Sequence, residues 1–218
     1  MKHKQMIDIE DIKSIEKALN NKKIIYSKLL SDSFGINCIK FSTSNKENFI
    51  AKYYKKSNKN FNSIESEAKN LIFLNNLKLK IFPKVQYNDD KFLIISYLKN
   101  DGAQPLETKD DLLNAIISLH SLSDTKYGFN FDTQIGGLKQ VNKRNNDWVE
   151  FFRKYRLGYI FECINSSKSM EISINKKIEF LLNNLEKYLP PKPVASLLHG
   201  DLWEGNILFN SKNFIGFI

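Results

Sequence analysis

The sequence predicts an α+β fold with a small antiparallel sheet and a helix in its first part and mostly helices in its second part. Two observations carry this prediction. Short runs rich in β-branched and aromatic residues fill the first 98 of the 218 residues, and helical periodicity dominates the residues after about 108. Strands that precede helices in this way are typical of an α+β chain. We place the boundary between two lobes, 1–98 and 99–218, at the polar turn after Leu98.

The first lobe is expected to begin with a short helix, because Ile12, Ile15 and Leu19 recur at helical spacing after an acidic start. A longer helix is expected at 61–77, and Pro83 then breaks the chain. Turn-forming residues, including the run Ser31–Gly35, separate the strands. The strands are expected at 23–30, 36–42, 49–54, 84–87 and 92–98.

Three helices are expected in the second lobe. The first follows a cap at Thr108, and we expect His120 on it to be a hydrogen-bonded structural histidine. Its apolar face is expected to bury Leu112, Leu113, Ile116 and Ile117 together with His120. The segment 127–146 has no clear period, and the remaining helices are expected at about 147–165 and 174–188.

Composition argues against several functional classes. The longest apolar run, 92–98, is too short to cross a bilayer, and the first residues lack the apolar core of a signal peptide. Cys38 and Cys163 suggest neither a metal site nor a disulfide framework, so a reducing cytoplasm is expected. The net charge of +9 comes from lysines scattered along the chain, so we expect neither a nucleic-acid nor a membrane partner.

One polar loop between two apolar runs carries the strongest chemical signal. His199, Asp201 and Asn206 follow the spacing His-x-Asp-x-x-x-x-Asn, which is that of the protein-kinase catalytic loop. Phosphoryl transfer explains this spacing, because the Asp must reach the attacking hydroxyl while the Asn reaches the Mg²⁺ on the phosphates. An ordinary polar turn between two strands is the alternative, and the three residue types at these offsets disfavour it.

The residues around this loop resemble those of the fructosamine kinase (ketosamine-3-kinase) family. Leu197–Trp203 followed by Gly205 and Asn206 is similar to one family motif, and Trp203 is its most telling residue. A second family signature resembles a set of residues upstream of the loop. The set is Ile135, Gly136, Gln140, Asn142, Trp148, Phe151, Phe152, Arg156 and Leu157. The resemblance implies a protein-kinase-like fold and ATP-dependent phosphorylation of a sugar hydroxyl on a small-molecule ketosamine, meaning a glycated amine.

The resemblance also implies a nucleotide site in the first lobe and a catalytic role for Asp201. Lys52 on the third strand would hold the α- and β-phosphates and would pair with Glu67 on the following helix; Glu65 competes for that role but projects from another face. Gly35 would lie in the loop that covers the phosphates. The purine would meet the hinge segment, with Ile95 behind it and backbone groups of Ser96, Tyr97 and Leu98 at its edge.

The aromatic and basic residues of the two signatures are expected to have other roles. Trp203 either walls the acceptor-sugar site or packs beneath the loop, and the residues do not decide between the two. Trp148, Phe151, Phe152 and Tyr155 are expected to be packing residues. Arg156 is expected to support the catalytic loop.

The sequence stops at Ile218, where the family places a second metal-binding Asp directly after such a strand. We therefore expect a fragment of a longer protein that is inactive by itself. An aminoglycoside or amino-alcohol kinase of the same fold is the first alternative, which the segments of Trp148 and Trp203 disfavour. A non-catalytic nucleotide-binding protein is the second alternative.

Overall fold

The computed structural model describes residues 8–55, 61–102, 109–211 and 213–218, so the predicted cap at Thr108 lies outside the described residues. The chain divides into two compact units, one of Met1–Ile116 with Gly200–Ile218 and one of Ile117–His199. This division places Gly200–Ile218, which contains Asp201 and Asn206, in the first unit. The functional boundary at residue 98 stays a prediction.

Five of the described strands form one antiparallel sheet in the first unit, in the order β1-β2-β3-β5-β4. The strands are β1 (Ile24–Ser33), β2 (Ile36–Thr43), β3 (Asn48–Tyr54), β4 (Val85–Asn88) and β5 (Phe92–Ser96). They lie where the sequence predicts strands, except that β1 continues to Ser33 and β5 ends at Ser96, which leaves Tyr97 and Leu98 as extended chain. The sheet therefore runs directly into the predicted hinge.

One face of this sheet packs on α1 (Ile9–Ala18). The side chain of Asp8 caps this helix by accepting from the Glu10 N–H at 2.9 Å. Ile15 of α1 is fully buried in the same cluster as Leu19. The sheet contributes Ile39, Phe41, Phe49, Ala51, Tyr53, Phe92 and Ile94 to this cluster. The helix predicted from the spacing of Ile12, Ile15 and Leu19 is thus present, and its apolar stripe covers the back of the sheet.

The turn between β1 and β2 is tighter than predicted. We expected a loop over Ser31–Gly35, but β1 continues to Ser33 and pairs there with Ile36. Only Phe34 and Gly35 remain as the turn, with φ of 52° and 76°. Positive φ at both central residues gives a primed turn whose twist matches that of the flanking strands, which explains why the pairing extends to the tip.

The helix α2 (Ser63–Asn76) is fixed at both ends. Asn62 caps its start by accepting from the N–H groups of Ile64 and Glu65, each at 3.1 Å, and donates to the Asp90 carbonyl at 2.8 Å. Near its other end, Asn75 donates to the Pro83 carbonyl at 3.0 Å. These bonds tie the helix to the β4–β5 turn and to the segment that leads into β4.

The helix α3 (Lys109–His120) is present, but its buried face is rotated relative to the predicted face. Ala115 and Leu119 are buried, whereas Leu113 and Ile117 are each 54% exposed. The predicted face included neither Ala115, which is small, nor Leu119. His120 was expected to be hydrogen-bonded, yet its buried Nε2 has no partner within the described part of the chain.

The second unit contains the predicted helix at 147–165 as three consecutive pieces. They are α4 (Trp148–Phe152), a π-helical turn at Arg153–Leu157 and α5 (Gly158–Ser167). A further helix, α6 (Ile172–Leu182), ends before a 3₁₀ turn at Leu185–Lys187. The two-residue strands β6 (Ser123–Asp124) and β9 (Ala195–Ser196) pair, as do β7 (Thr133–Ile135) and β8 (Leu138–Gln140). No helix in residues 8–55, 61–102, 109–211 and 213–218 is long and apolar enough to cross a membrane.

Candidate active site

The loop that holds Asp201 and Asn206 is closed by hydrogen bonds between these two residues. The Asn206 Nδ2 donates to the Asp201 carbonyl at 2.8 Å and to the Asp201 Oδ2 at 2.9 Å. A 3₁₀ turn at Glu204–Asn206 brings the two residues together, and the Asn206 N–H donates to the Trp203 carbonyl at 2.9 Å. Because its amide nitrogen faces Asp201, Asn206 presents its side-chain oxygen in another direction.

The loop is followed in sequence by a short hairpin that is hydrogen-bonded to it. The strands β10 (Ile207–Phe209) and β11 (Phe214–Phe217) pair, and the Ile218 N–H donates to the Asn206 carbonyl at 3.0 Å. Phe217 is fully buried and its N–H donates to the Ile81 carbonyl at 2.8 Å. The loop is therefore fixed to the segment that joins α2 to β4.

The same hairpin is also bonded to the end of the hinge segment. The Asp101 N–H donates to the Phe209 carbonyl at 3.2 Å, and the Asp101 Oδ2 accepts from the Ser211 N–H at 2.8 Å. These two bonds join residues more than 100 positions apart in the sequence. They place the hinge and the base of the catalytic loop in one connected structure.

Lys52 and Glu67 form an ion pair, as their positions in the sequence predict. The Lys52 Nζ lies 2.6 Å from the Glu67 Oε1, and the two side chains are 27% and 26% exposed. Burial by itself would lower the pKa of Lys52, but the charge and hydrogen bond of Glu67 outweigh it and raise that pKa. The competing carboxylate, Glu65, pairs with Lys69 at 2.7 Å instead.

The register of the sheet and the anchoring of α2 explain why these two residues meet. Lys52 lies opposite Cys38 on β2 and Leu93 on β5, so the three side chains share one face of the sheet. Two residues further on, the Tyr54 hydroxyl accepts from the Ser63 N–H at 2.8 Å and holds the first turn of α2 against β3. Burial raises the pKa of the Cys38 thiol, so Lys52 remains the charged group among these three.

The hinge segment is extended, and its backbone is bonded on both sides, to the residue before β4 and to the first residue of β3. Ile95 is buried, the Ser96 N–H donates to the Lys84 carbonyl at 2.9 Å, and the Tyr97 N–H donates to the Asn48 carbonyl at 3.2 Å. The Leu98 carbonyl accepts from the Asn100 Nδ2 at 2.9 Å. The four predicted hinge residues, Ile95 to Leu98, thus form one continuous extended segment that leaves the sheet.

The model of the fructosamine kinase family matches residues 13–217, which is nearly the whole chain. The chain belongs to the fructosamine kinase family. Among curated relatives, the chloroplastic protein-ribulosamine 3-kinase of Oryza sativa subsp. indica is 40% identical over 86 residues. That match covers 39% of this chain and 25% of the rice protein, so the chain spans only part of this relative's length.

Solved structures agree on the fold. A candidate fructosamine-3-kinase from Thermobifida fusca is similar with a TM-score of 0.80 at 16% identity, over 95% of this chain and 72% of that chain. The streptomycin–ATP complex of the enzyme APH(2″)-IIa is similar with a TM-score of 0.63 at 18% identity, over 98% of this chain and 70% of that one. The predicted α+β, protein-kinase-like fold is confirmed.

The family's tryptophan, Trp203, lies on the outside of the catalytic loop. Its side chain is 57% exposed, and its indole covers Gly205 so closely that a Cβ at that position would overlap the ring. A side chain at position 205 would therefore require the Trp203 indole to move. The indole packs on Gly205 of the loop and also leaves an exposed aromatic surface two residues from Asp201, so both roles of Trp203 stay predictions.

Gly35 lies at the tip of the β1–β2 hairpin rather than within an open loop. Its carbonyl accepts from the Lys55 N–H at 3.0 Å, and the Lys55 ammonium pairs with Asp32 on β1. The tip is thus bonded to the end of β3. Phe34 beside it is 77% exposed, so the β1–β2 hairpin has an aromatic tip.

Arg156 does not bond to the catalytic loop, which corrects the expected role. Its Nη1 donates to the Val141 carbonyl at 2.8 Å and its Nη2 to the Asn142 Oδ1 at 2.6 Å. Asn142 is buried and donates in turn to the Phe131 carbonyl and the Thr133 hydroxyl. Two residues of the second family signature therefore hold each other, and they stabilise the segment before α4.

One contact in the hinge was missed from the sequence. The Lys40 Nζ lies 3.7 Å from the centroid of the Tyr97 ring, in a cation–π contact. Lys40 is opposite Ile50, and Ile50 is opposite Ile95, so the strand register places Lys40 on the face that leads to the hinge. The alternation of β2 contained this signal, but reading it required the register of three strands.

Proposed function

We propose that the whole protein transfers the γ-phosphoryl group of ATP to a sugar hydroxyl of a ketosamine. The observation that carries this proposal is the paired Asp201 and Asn206 on a loop of the phosphotransferase spacing. Membership of the fructosamine kinase family and the name of the rice relative support a glycated amine as the acceptor. The ATP complex of a structural neighbour supports ATP as the donor.

Asp201 is the residue that we propose as the proton acceptor for the substrate hydroxyl. Its side chain is exposed and can be reached by an acceptor molecule. The hydrogen bond from Asn206 to Oδ2 restricts the rotation of the carboxylate. Trp203 beside it offers a flat apolar surface that suits one face of a sugar ring.

Lys52 is proposed to bind the α- and β-phosphates of the nucleotide. An ammonium that is about one quarter exposed and already fixed by Glu67 loses little rotamer entropy when it binds a phosphate. Gly35 at the hairpin tip is proposed to lie near the phosphates. For the purine, we propose contacts to the Ser96 carbonyl and the Leu98 N–H, with Ile95 behind the ring and Tyr97 between the two backbone groups.

Mg²⁺ is the metal that this chemistry implies, and the loop provides one suitable ligand. The Asn206 side-chain oxygen is directed away from Asp201 by the hydrogen bonds of its own amide nitrogen. No group of three His, Cys, Asp or Glu side chains that could hold a metal occurs among the described residues. Asn206 would therefore hold the ion together with nucleotide phosphate oxygens. When bound, Mg²⁺ supplies neutralising charge to the phosphates.

The test is a phosphotransfer assay with ATP and a panel of acceptors that contains a fructosamine, a ribulosamine, an aminoglycoside and choline. We expect transfer to the two ketosamines, and we expect Asp201→Asn to lower turnover by about a hundredfold or more while ATP affinity stays within about threefold. Glu204→Gln is the matched control, because it removes an exposed carboxylate from the same loop. Equal turnover in wild type and Asp201→Asn, or transfer to choline or the aminoglycoside alone, would contradict the proposal.

A further inference from the structure

The strand that leads into the catalytic loop is very short and has few bonds of its own. It is β9, whose Ser196 pairs with Ser123 and whose Ala195 pairs with Asp124. One further bond follows, from the Leu197 N–H to the Leu122 carbonyl at 2.7 Å. Two paired residues are too few to fix a strand, so its position depends on neighbouring contacts.

The segment before β9 cannot be held by an ordinary strand ladder. Pro190, Pro191 and Pro193 have no N–H to donate, so this segment must be attached largely through its carbonyls. One such carbonyl, that of Pro193, accepts a hydrogen bond from the Tyr127 hydroxyl at 2.6 Å. This side chain bridges 66 positions of sequence and reaches the residue two before β9.

Tyr127 is itself rigidly held. Its side chain is 7% exposed, its N–H donates to the Asn145 carbonyl at 2.9 Å, and its carbonyl accepts from the Asn145 N–H at 3.0 Å. Its ring lies 5.2 Å from the ring of Trp148, between centroids, and 6.5 Å from that of Phe151. Two aromatic residues of the second family signature thus set the direction of the Tyr127 hydroxyl.

An ion pair reinforces the same junction. The Arg144 Nη2 lies 2.5 Å from the Asp124 Oδ1, and Asp124 is the β6 residue that pairs with Ala195. Arg144, together with the N–H groups of Lys126 and Thr125, lowers the pKa of Asp124 to about 2, so this carboxylate is charged at neutral pH. The segment 124–145 therefore holds β9 through both a backbone pairing and a side-chain hydrogen bond.

We infer that Tyr127 is a positioning residue for the catalytic loop, and that its hydroxyl fixes the chain at Pro193 so that β9 delivers the loop in one conformation. The inference rests on the proposed function, since it treats 199–206 as the catalytic loop. It also gives the second signature a role: Trp148 and Phe151 act on the loop through Tyr127 and Pro193. The two family signatures are then physically connected, although they lie about 50 residues apart in the sequence.

The test is Tyr127→Phe, which removes the hydroxyl and keeps the ring that packs on Trp148. Tyr87→Phe is the matched control, because it removes another tyrosine hydroxyl bond, to the Asp89 Oδ2 at 2.8 Å, in the β4–β5 turn. Hydrogen exchange of the backbone amides in 195–206 is measured first, without nucleotide. We expect exchange there to be about fivefold faster in Tyr127→Phe, the factor that one lost neutral hydrogen bond gives, and unchanged in Tyr87→Phe.

Kinetics provide the second measurement. We expect Tyr127→Phe to lower kcat about fivefold and to leave the KM for ATP unchanged, because the nucleotide contacts that we propose lie elsewhere. Exchange in 195–206 that matches wild type or Tyr87→Phe would overturn the inference, and so would faster exchange with an unchanged kcat. If wild type transfers phosphate to no acceptor, the proposed function fails by itself, and the exchange measurement still decides whether Tyr127 holds the loop.

Discussion

The two faces of the five-stranded sheet differ in the charged side chains that they carry. The face on α1 is apolar and buried, with Ile39, Ala51, Tyr53 and Ile94 in one cluster. The opposite face presents Cys38, Lys52 and Leu93 in one cross-strand row and pairs Lys52 with Glu67. Successive residues of a strand point to opposite faces. Ala51 and Tyr53 of β3 therefore pack in the core, while Lys52 between them points to the other face.

Because of this difference, neighbouring residues of β3 can be tested separately for their effects on stability and on ligand affinity. Tyr53 and Lys52 are adjacent in sequence, yet Tyr53 is 1% exposed in the core and Lys52 faces a carboxylate on the other side. A change at Tyr53 should alter the free energy of unfolding, and a change at Lys52 should alter ligand affinity. The predictions below test this separation, from the largest effect to the smallest.

The largest expected effect is that of Tyr53→Ala on stability. Tyr53 fills the core beside Phe92, with 5.3 Å between ring centroids, so its removal leaves a cavity in the α1 cluster. We expect the free energy of unfolding to fall by about 3–5 kcal/mol, the range for a buried aromatic replaced by alanine. Urea denaturation of wild type, Tyr53→Ala and Lys52→Met measures it. Similar losses in the two variants would show that the faces do not differ in this way.

The second effect concerns nucleotide affinity. We expect Lys52→Met to weaken ATP binding about ten- to a hundredfold, because a charged hydrogen bond to phosphate contributes about 1.5–3 kcal/mol. Lys55→Met is the matched control: it removes the same charge three residues further on, where the ammonium pairs with Asp32 rather than Glu67. Isothermal titration with ATP compares the three proteins.

Equal losses of ATP affinity in Lys52→Met and Lys55→Met would contradict the assignment of Lys52. Such a result would indicate that the positive charge of the region acts as a whole, without a dedicated ligand. A loss in Lys55→Met alone would instead move the phosphate contact to the hairpin tip, where the Lys55 N–H already bonds to the Gly35 carbonyl.

Much of the sheet and the catalytic loop could be predicted from the sequence, because local patterns carry them. The alternation around Ala51 and Tyr53 and the spacing from Asp201 to Asn206 are properties of short segments. The two-residue length of the turn at Phe34 and Gly35 could not be predicted from the sequence. It depends on two residues with positive φ, and phenylalanine is rarely one of them.

Contacts between distant segments account for the remaining errors. Arg156 was expected to reach the catalytic loop, but its guanidinium bonds to Asn142, and no local pattern records that choice. The buried face of α3 likewise contains Ala115 and Leu119, which the predicted face left out. The bond from the Tyr127 hydroxyl to the Pro193 carbonyl spans 66 positions, so no local sequence pattern predicts it.

The smallest expected effect is the pH dependence that the Lys52–Glu67 ion pair contributes. The charge and hydrogen bond of Glu67 raise the pKa of Lys52 in the folded protein above the ordinary lysine value of about 10.4. A folded-state pKa that is raised means stability that is fully present below pH of about 10.4 and is lost as the pH rises through the folded pKa. The ion pair is partly exposed, so we expect it to contribute about 1 kcal/mol or less.

The measurement compares the free energy of unfolding at pH 8 and at pH 11 for wild type and Lys52→Met. Wild type and Lys52→Met share every other ionisable group, so the difference between the two pH dependences isolates Lys52. We expect wild type to lose more stability than Lys52→Met between these pH values. A steeper loss in Lys52→Met than in wild type would reverse the sign and show that burial, rather than Glu67, dominates the pKa of Lys52.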